Sequence, residues 1–216
     1  MCFSTEASFA GGIIITAIGV ATILKVHKSS QIIFASIPIF FGLQQITEGV
    51  IWLALKHPEY SYLLHWSTII FMVMANVFWP IMIPLAILCM ETDKKRRKIL
   101  WGVLSLGIFL SMYFSLCLLT FEVNPEIRLY HIEYVDNFPS SIHLLAFGIY
   151  LITSITPLFI SSHKKMFIFG ILMTLSCLVT IIFFTQYLTS VWCFFAAIIS
   201  LLIYWILNDA KRKAKR

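Results

Sequence analysis

The side chains of this sequence with the most chemical capacity are Cys2, Glu48, His65, His131, His143 and Cys193. Imidazole, thiolate and carboxylate together make the donor set of a transition-metal site, zinc above all, which takes about four such ligands, or three and a reactive water. The same groups could act as acids, bases or nucleophiles, and Glu48, His65 and His143 are the candidate catalytic residues. Gln44, Gln45, Asn76 and Trp192 are the candidates for holding a small ligand or cofactor beside them. There is no Cys-x-x-Cys and no His-Glu-x-x-His, so the metal signal is one of composition and not of spacing. Two other classes stay open. Glu48 could carry a proton or cation in a transporter or sensor, with Pro80 and Pro84 as a moving joint. Alternatively, the polar groups could simply join helices in an assembly subunit.

The elements that would position these residues follow from composition. Of 216 residues, 60% are hydrophobic and 12% charged, and the mean hydropathy is +0.91, against about 45–50% and about 25% for a soluble domain. A soluble fold is excluded. Uninterrupted apolar runs cover Phe9–Val26, Ile32–Leu55, Leu63–Met90, Ile99–Thr120, Ile142–Ile160, Phe167–Thr185 and Val191–Leu207, each near the ~20 residues that a membrane helix needs. The expected fold is all-α: a polytopic membrane protein with seven transmembrane helices in one domain, residues 1–208, and a basic tail, 209–216. The third run holds Pro80 and Pro84 and is expected to be one kinked helix. The segment Phe121–Ser141 is expected to be a long loop.

All but Lys56 and Arg128 of the 16 basic residues fall on one side of these spans. By the preference of Lys and Arg for the cytoplasmic side, the amino terminus is outside and the basic tail cytoplasmic. Topology thus explains the net charge of +6, and no nucleic acid is needed as a partner. The expected surroundings are the lipid bilayer and a small-molecule or metal ligand reaching the protein from the outer side. The flank Met1–Ala10 has no Lys or Arg, the reverse of a secretory n-region, so the first span is expected to be retained.

Glu48 is the one acidic residue well inside a run, at a depth where an ionised group costs about 2.5–3.5 kcal/mol unless paired or hydrated. At about 100° per residue, His65, Asn76 and Trp79 should share a face of the third span. On the same arithmetic His143, Tyr150, Ser154 and Ser161 form a stripe on the fifth span, and Ser190, Cys193, Ser200, Tyr204 and Asn208 one on the seventh. Such stripes face protein and not lipid. With this topology Glu48, His65, His143 and Cys193 fall in the outer halves of their helices, which predicts an outward-opening polar pocket beneath Phe121–Ser141.

Several segments carry a resemblance: Met1-Cys2-Phe3-Ser4, Ala7-Ser8-Phe9-Ala10-Gly11, Ile37-Pro38-Ile39-Phe40-Phe41-Gly42 running into Gln44-Gln45, Glu48-Gly49-Val50-Ile51-Trp52, and Ser190-Val191-Trp192-Cys193. Over essentially the whole chain the sequence resembles a bacterial family of small seven-helix membrane proteins known as a domain of unknown function. The resemblance implies a multi-pass domain of the bacterial inner membrane and implies no activity. Seven-helix zinc hydrolases of the alkaline ceramidase type are similar only at fold level, and their aspartate and paired-histidine pattern is not found here.

Overall fold

A computed structural model describes the backbone of residues 4–214 and the side chains as far as Asn208. Seven helices are long and apolar enough to cross a membrane: Thr5–Ile23, Ser29–Lys56, Pro58–Met90, Lys94–Thr120, Ser140–Ile160, Lys164–Phe183 and Thr185–Asn208. They match the seven apolar runs of the sequence to within six residues at each end. In detail, α1 is Thr5–Ile23, α2 Ile32–Lys56, α3 Leu64–Met72, α4 Trp79–Met90, α5 Lys94–Thr120, α6 Ser140–Ile160, α7 Lys164–Phe183, α8 Leu188–Ser200 and α9 Leu202–Ala214. A single turn at Leu201 separates α8 from α9.

Local chemistry sets several of the boundaries. Ser4 caps α1 by accepting from the Ala7 amide at 3.2 Å, and Asp93 caps α5 by accepting from the Arg96 amide at 2.9 Å, each satisfying an orphan donor of a first turn. The first two helices then pack backbone to backbone. A Cβ on Gly42 would stand 2.1 Å from Thr16 Oγ1 and 2.8 Å from the Gly12 carbonyl, so only glycine permits this approach.

The third span is continuous but changes its winding. Between α3 and α4, Val73–Phe78 form a π-helix, and Pro80 and Pro84 follow within α4. Proline supplies no amide hydrogen, so carbonyls one turn earlier must find other donors. Tyr150 of α6 donates its hydroxyl to the Ala75 carbonyl at 2.6 Å, and Ser111 of α5 donates to the Val77 carbonyl at 2.7 Å. The Pro80 carbonyl, freed by Pro84, lies against Gly107 of α5, where a Cβ would come within 2.1 Å of its oxygen.

The segment expected to be a loop contains a two-stranded antiparallel hairpin, β1 (Val123–Arg128) and β2 (His131–Asp136). Its two-residue turn places Leu129 at φ 57°, a left-handed conformation unusual for a bulky residue. The register sets Glu126 opposite Glu133. Arg128 relieves that like-charge pair, reaching Glu126 at 3.1 Å and Glu133 at 2.8 Å. The hairpin folds down onto the bundle: Ile132 is fully buried, Tyr134 stacks on Phe71, and His131 packs against Phe184 and Tyr187.

The opposite end of the bundle carries the basic residues. Contacts there hold one residue from each of three basic clusters: Lys25 lies over the Tyr204 ring, Lys165 over the Trp205 ring, and Arg96 donates to the Ile160 carbonyl. Glu91, 2% exposed, is the centre of this end. Its carboxylate accepts from the Thr92 and Asp93 amides and from both the amide and the hydroxyl of Ser162.

Candidate functional site

The helices α2 and α8 run antiparallel, and two polar pairs face each other across their seam. Gln44 and Glu48 are four apart on α2, and Ser190 and Cys193 three apart on α8, so each pair occupies one helical face. Ser190 donates its hydroxyl to Glu48 Oε1, and one turn away Gln44 donates its amide to Cys193 Sγ at 3.1 Å. From the third span, Trp79 donates its indole hydrogen to Gln44 Oε1 at 2.8 Å. Gln45 donates a longer bond, 3.4 Å, to Glu48 Oε2. Gln44, Gln45, Glu48 and Ser190 are all fully buried.

This network is not saturated. The indole nitrogens of Trp52 and Trp192 and the Gln45 carbonyl oxygen are buried and have no hydrogen-bond partner among the described residues. Each such group costs about 1–3 kcal/mol while it stays unmatched. Native interiors leave few of them, and one of the three, Trp192, borders a cavity.

Three cavities lie in line with it. The largest, about 500 Å³, opens beneath the hairpin among Tyr134, Asp136, His143, Phe147, Thr185 and Leu188. A second, about 80 Å³, shares Asp136, His143 and Phe147 with the first and reaches Asn76, Trp192 and Cys193. A third, about 30 Å³, shares Tyr150, Trp192 and Cys193 with the second and ends against Phe41 and Trp79. The sequence of shared walls leads from the hairpin end to the Gln44–Cys193 contact. Aromatic rings shape its inner part, with Phe41 stacked on Trp79 at 3.8 Å between centroids and Tyr150 edge-on to Trp192.

The expected residues divide into those gathered here and those held elsewhere. Gln44, Gln45, Glu48 and Cys193 meet in the network, and Asn76, His143 and Trp192 line the cavities. His65 does not join them: it is exposed and packs edge-on against Trp66. The π-turn between His65 and Trp79 takes up an extra residue, rotating the later part of the span by about one residue step, or about 100°. A face extrapolated across it at α-helical spacing therefore splits. Of the expected catalytic grouping, Glu48 thus belongs to the network and His143 to the cavity walls, while His65 lines neither.

The expected metal grouping is not drawn together among the described residues either. Cys2 lies outside the described residues. Of the rest, His131 is committed to its packing on the hairpin, His65 faces outward, and Glu48 and Cys193 are engaged by Ser190 and Gln44. Among the described residues no three His, Cys, Asp or Glu side chains stand close enough to hold an ion. Four residues that matter were missed as site members: Trp79, Ser190, Tyr150 and Asp136. The three-residue spacing of Ser190 and Cys193, set against the four-residue spacing of Gln44 and Glu48, was the signal for the seam.

The chain belongs to DUF6629, a family of unknown function whose pattern matches residues 1–216. No curated protein and no solved structure matches it.

Proposed function

We propose that this protein spans the bacterial inner membrane seven times, amino terminus outward, and binds a small ligand that enters from the outer side and ends beside the α2–α8 network. Basic residues concentrated at one end of the bundle support the orientation. The ligand carries a hydrogen-bond acceptor. The observation behind this reading is Trp192, whose ring lines the two inner cavities while its buried indole hydrogen has no described partner. A ligand carbonyl, ether or hydroxyl oxygen at that point would satisfy it, within a site whose polar groups are few and whose walls are mostly apolar and aromatic. The Cys193 thiol and Tyr150 ring flank the same space and would position the ligand.

The test is extraction of small molecules from purified protein in lipid nanodiscs, followed by mass spectrometry. A molecule enriched over an empty-nanodisc control is expected from the native protein. Trp192→Phe keeps the ring and removes the donor, and retention is expected to fall about tenfold, the value of one buried hydrogen bond. Equal retention by the variant, or no enriched molecule, would overturn the proposal.

One observation favours a second reading, that of a proton-coupled transporter. The basic end is tied shut through Glu91 and Ser162 while the cavities lie at the hairpin end, as in one state of an alternating-access cycle. Glu48 would then be the proton site, and Glu48→Gln would abolish pH-driven uptake into vesicles while leaving ligand retention measurable.

A further inference from the structure

We infer that the ligand is an amphiphile with an uncharged headgroup and a hydrocarbon tail, admitted sideways from the bilayer between α6 and α7. The inference rests on the binding proposal and names its ligand class.

The first ground is the shape of the α6–α7 pair. At the basic end the two helices touch: a Cβ on Gly170 of α7 would lie 3.0 Å from the Phe159 ring and 3.2 Å from Leu158 Cβ, and Phe159 packs edge-on against Phe167. At the hairpin end they part, and the cavity of about 500 Å³ occupies the gap, with His143, Leu144 and Phe147 on one wall and Ile181 and Thr185 on the other. On the α6 side its rim is apolar and outward-facing, Leu144 being 83% exposed, and on the α7 side it runs along the half-buried Ile181. In a spanning protein such side chains stand against acyl chains, so the gap opens onto one leaflet of the bilayer.

The second ground is the chemistry of the lining. Asp136, Ser140, His143, Gln186 and Thr189 are polar residues near the hairpin, while Leu144, Phe147 and Ile181 are apolar. A headgroup fits beside the first set, of which Asp136, His143 and Thr189 also line the second cavity with Trp192, and a chain along the second set. The volume is in the range of small-molecule sites, about 300–1,000 Å³.

The third ground is charge. No Lys or Arg lines any of the three cavities. The basic residues expected on this side are occupied: Arg128 with Glu126 and Glu133, and Lys56 over the Trp52 ring. The acidic group at the mouth is Asp136, which accepts from the Phe138 amide at 3.1 Å and so keeps its place. A phosphate or carboxylate head would meet that charge with no cation to offset it, whereas a hydroxyl, ester or carbonyl head finds donors and acceptors.

The experiment uses two photoactivatable probes with the same diazirine-bearing acyl chain, one a monoacylglycerol and the other its phosphorylated counterpart, lysophosphatidic acid, in nanodiscs holding the full-length protein. Peptide mapping after irradiation is expected to place the glycerol probe on α6 and α7 around Leu144, Phe147 and Ile181. Its labelling should exceed that of the phosphate probe about fivefold and should be competed by unlabelled monoacylglycerol. Asp136→Lys is expected to reverse the preference, and Asp136→Asn, which keeps the oxygen facing the Phe138 amide, to erase it with the fold intact. Equal labelling by both probes without competition would mean annular lipid only and would overturn the inference. So would labelling absent from α6 and α7 while the native protein still retains a Trp192-dependent molecule, an outcome that leaves the binding proposal standing with a water-soluble ligand. Loss of that retention as well would remove both.

Discussion

The Ser190 hydroxyl donates to the Glu48 carboxylate across the α2–α8 seam, one helical turn nearer the hairpin than the Gln44–Cys193 contact. Two rungs at this spacing fix the vertical register of the helices, because sliding one past the other by a residue would break both. Membrane helices lack a hydrophobic drive toward one another, so buried polar pairs carry much of that specificity. Glu48 forms no salt bridge with a described residue, and the described groups that bond to it are neutral donors. Once one side of a rung is gone, removing the other should therefore cost less than it would alone. Ser190→Ala and Glu48→Ala are each expected to cost about 1–3 kcal/mol, and the double variant less than their sum. Thermal unfolding of the four proteins in one detergent measures this, and strict additivity would contradict a direct rung.

Gly107 offers a sharper contrast. Its Cα packs on the Pro80 carbonyl, and an added methyl would stand 2.1 Å from that oxygen. Neither partner can move aside, one being backbone freed by a proline and the other a helix interior. Gly107→Ala is expected to destabilise the protein by about 1–3 kcal/mol through overpacking. Gly102 on the same helix has nothing within 4 Å of the equivalent position, so Gly102→Ala should gain up to about 1 kcal/mol from helix propensity. The pair of variants, measured together, separates close packing from propensity.

Particular residues show how far sequence carries. The seven spans were legible because length and hydropathy are properties of whole segments, insensitive to the placement of any one side chain. That the third run stays one span despite Pro80 and Pro84 was legible too. The π-turn was not, since no residue type specifies it, and losing its phase misplaced His65 while leaving Asn76 and Trp79 near the site. Glu48 stood out because a carboxylate in an apolar run needs a reason, but its partner Ser190 looked like any serine on a helix. The hairpin had an alternating pattern in His131-Ile132-Glu133-Tyr134-Val135-Asp136, yet its turn residues Leu129 and Tyr130 carry none of the Asn-Gly chemistry that usually marks such a turn. The metal reading rested on a count of donor types, which says nothing of the distances between them.

His131 gives the hairpin a pH dependence. Burial against Phe184 and Tyr187 pushes its imidazole below the ordinary value of 6.5. A histidine whose folded pKa is depressed takes up fewer protons when folded, so stability is full above about 6.5 and falls as the pH drops toward the lower folded value. The protection factors of the β1 and β2 amides, in which the intrinsic slowing of exchange by acid is divided out, are expected to fall between pH 7 and 5 in the native protein. His131→Phe, which keeps an aromatic ring and cannot ionise, should flatten that response. An unchanged slope in the variant would place the pH sensitivity elsewhere.

Glu91 at the other end responds at lower pH. Burial alone would raise its pKa, but the amides of Asp93, Ser162 and Thr92 and the Ser162 hydroxyl outweigh it and hold the carboxyl below the ordinary value of 4.5. The sign comes from linkage: the folded state binds the proton less readily, so the stabilisation is fully present above about 4.5 and is lost as the pH falls through the lower folded value. Because these bonds join the α4–α5 connection to the α6–α7 connection, protonation should loosen this end of the bundle while leaving the α2–α8 seam in place. Apparent melting temperatures between pH 6 and 3.5 are expected to fall more steeply in the native protein than in Glu91→Gln, whose lower starting stability no longer depends on this proton. Ser162→Ala removes one of the four donors and leaves the amides, so its transition should shift toward higher pH without disappearing. Parallel curves for all three proteins would show that the acid sensitivity arises from other carboxylates and that the Glu91 contact is not what closes the basic end.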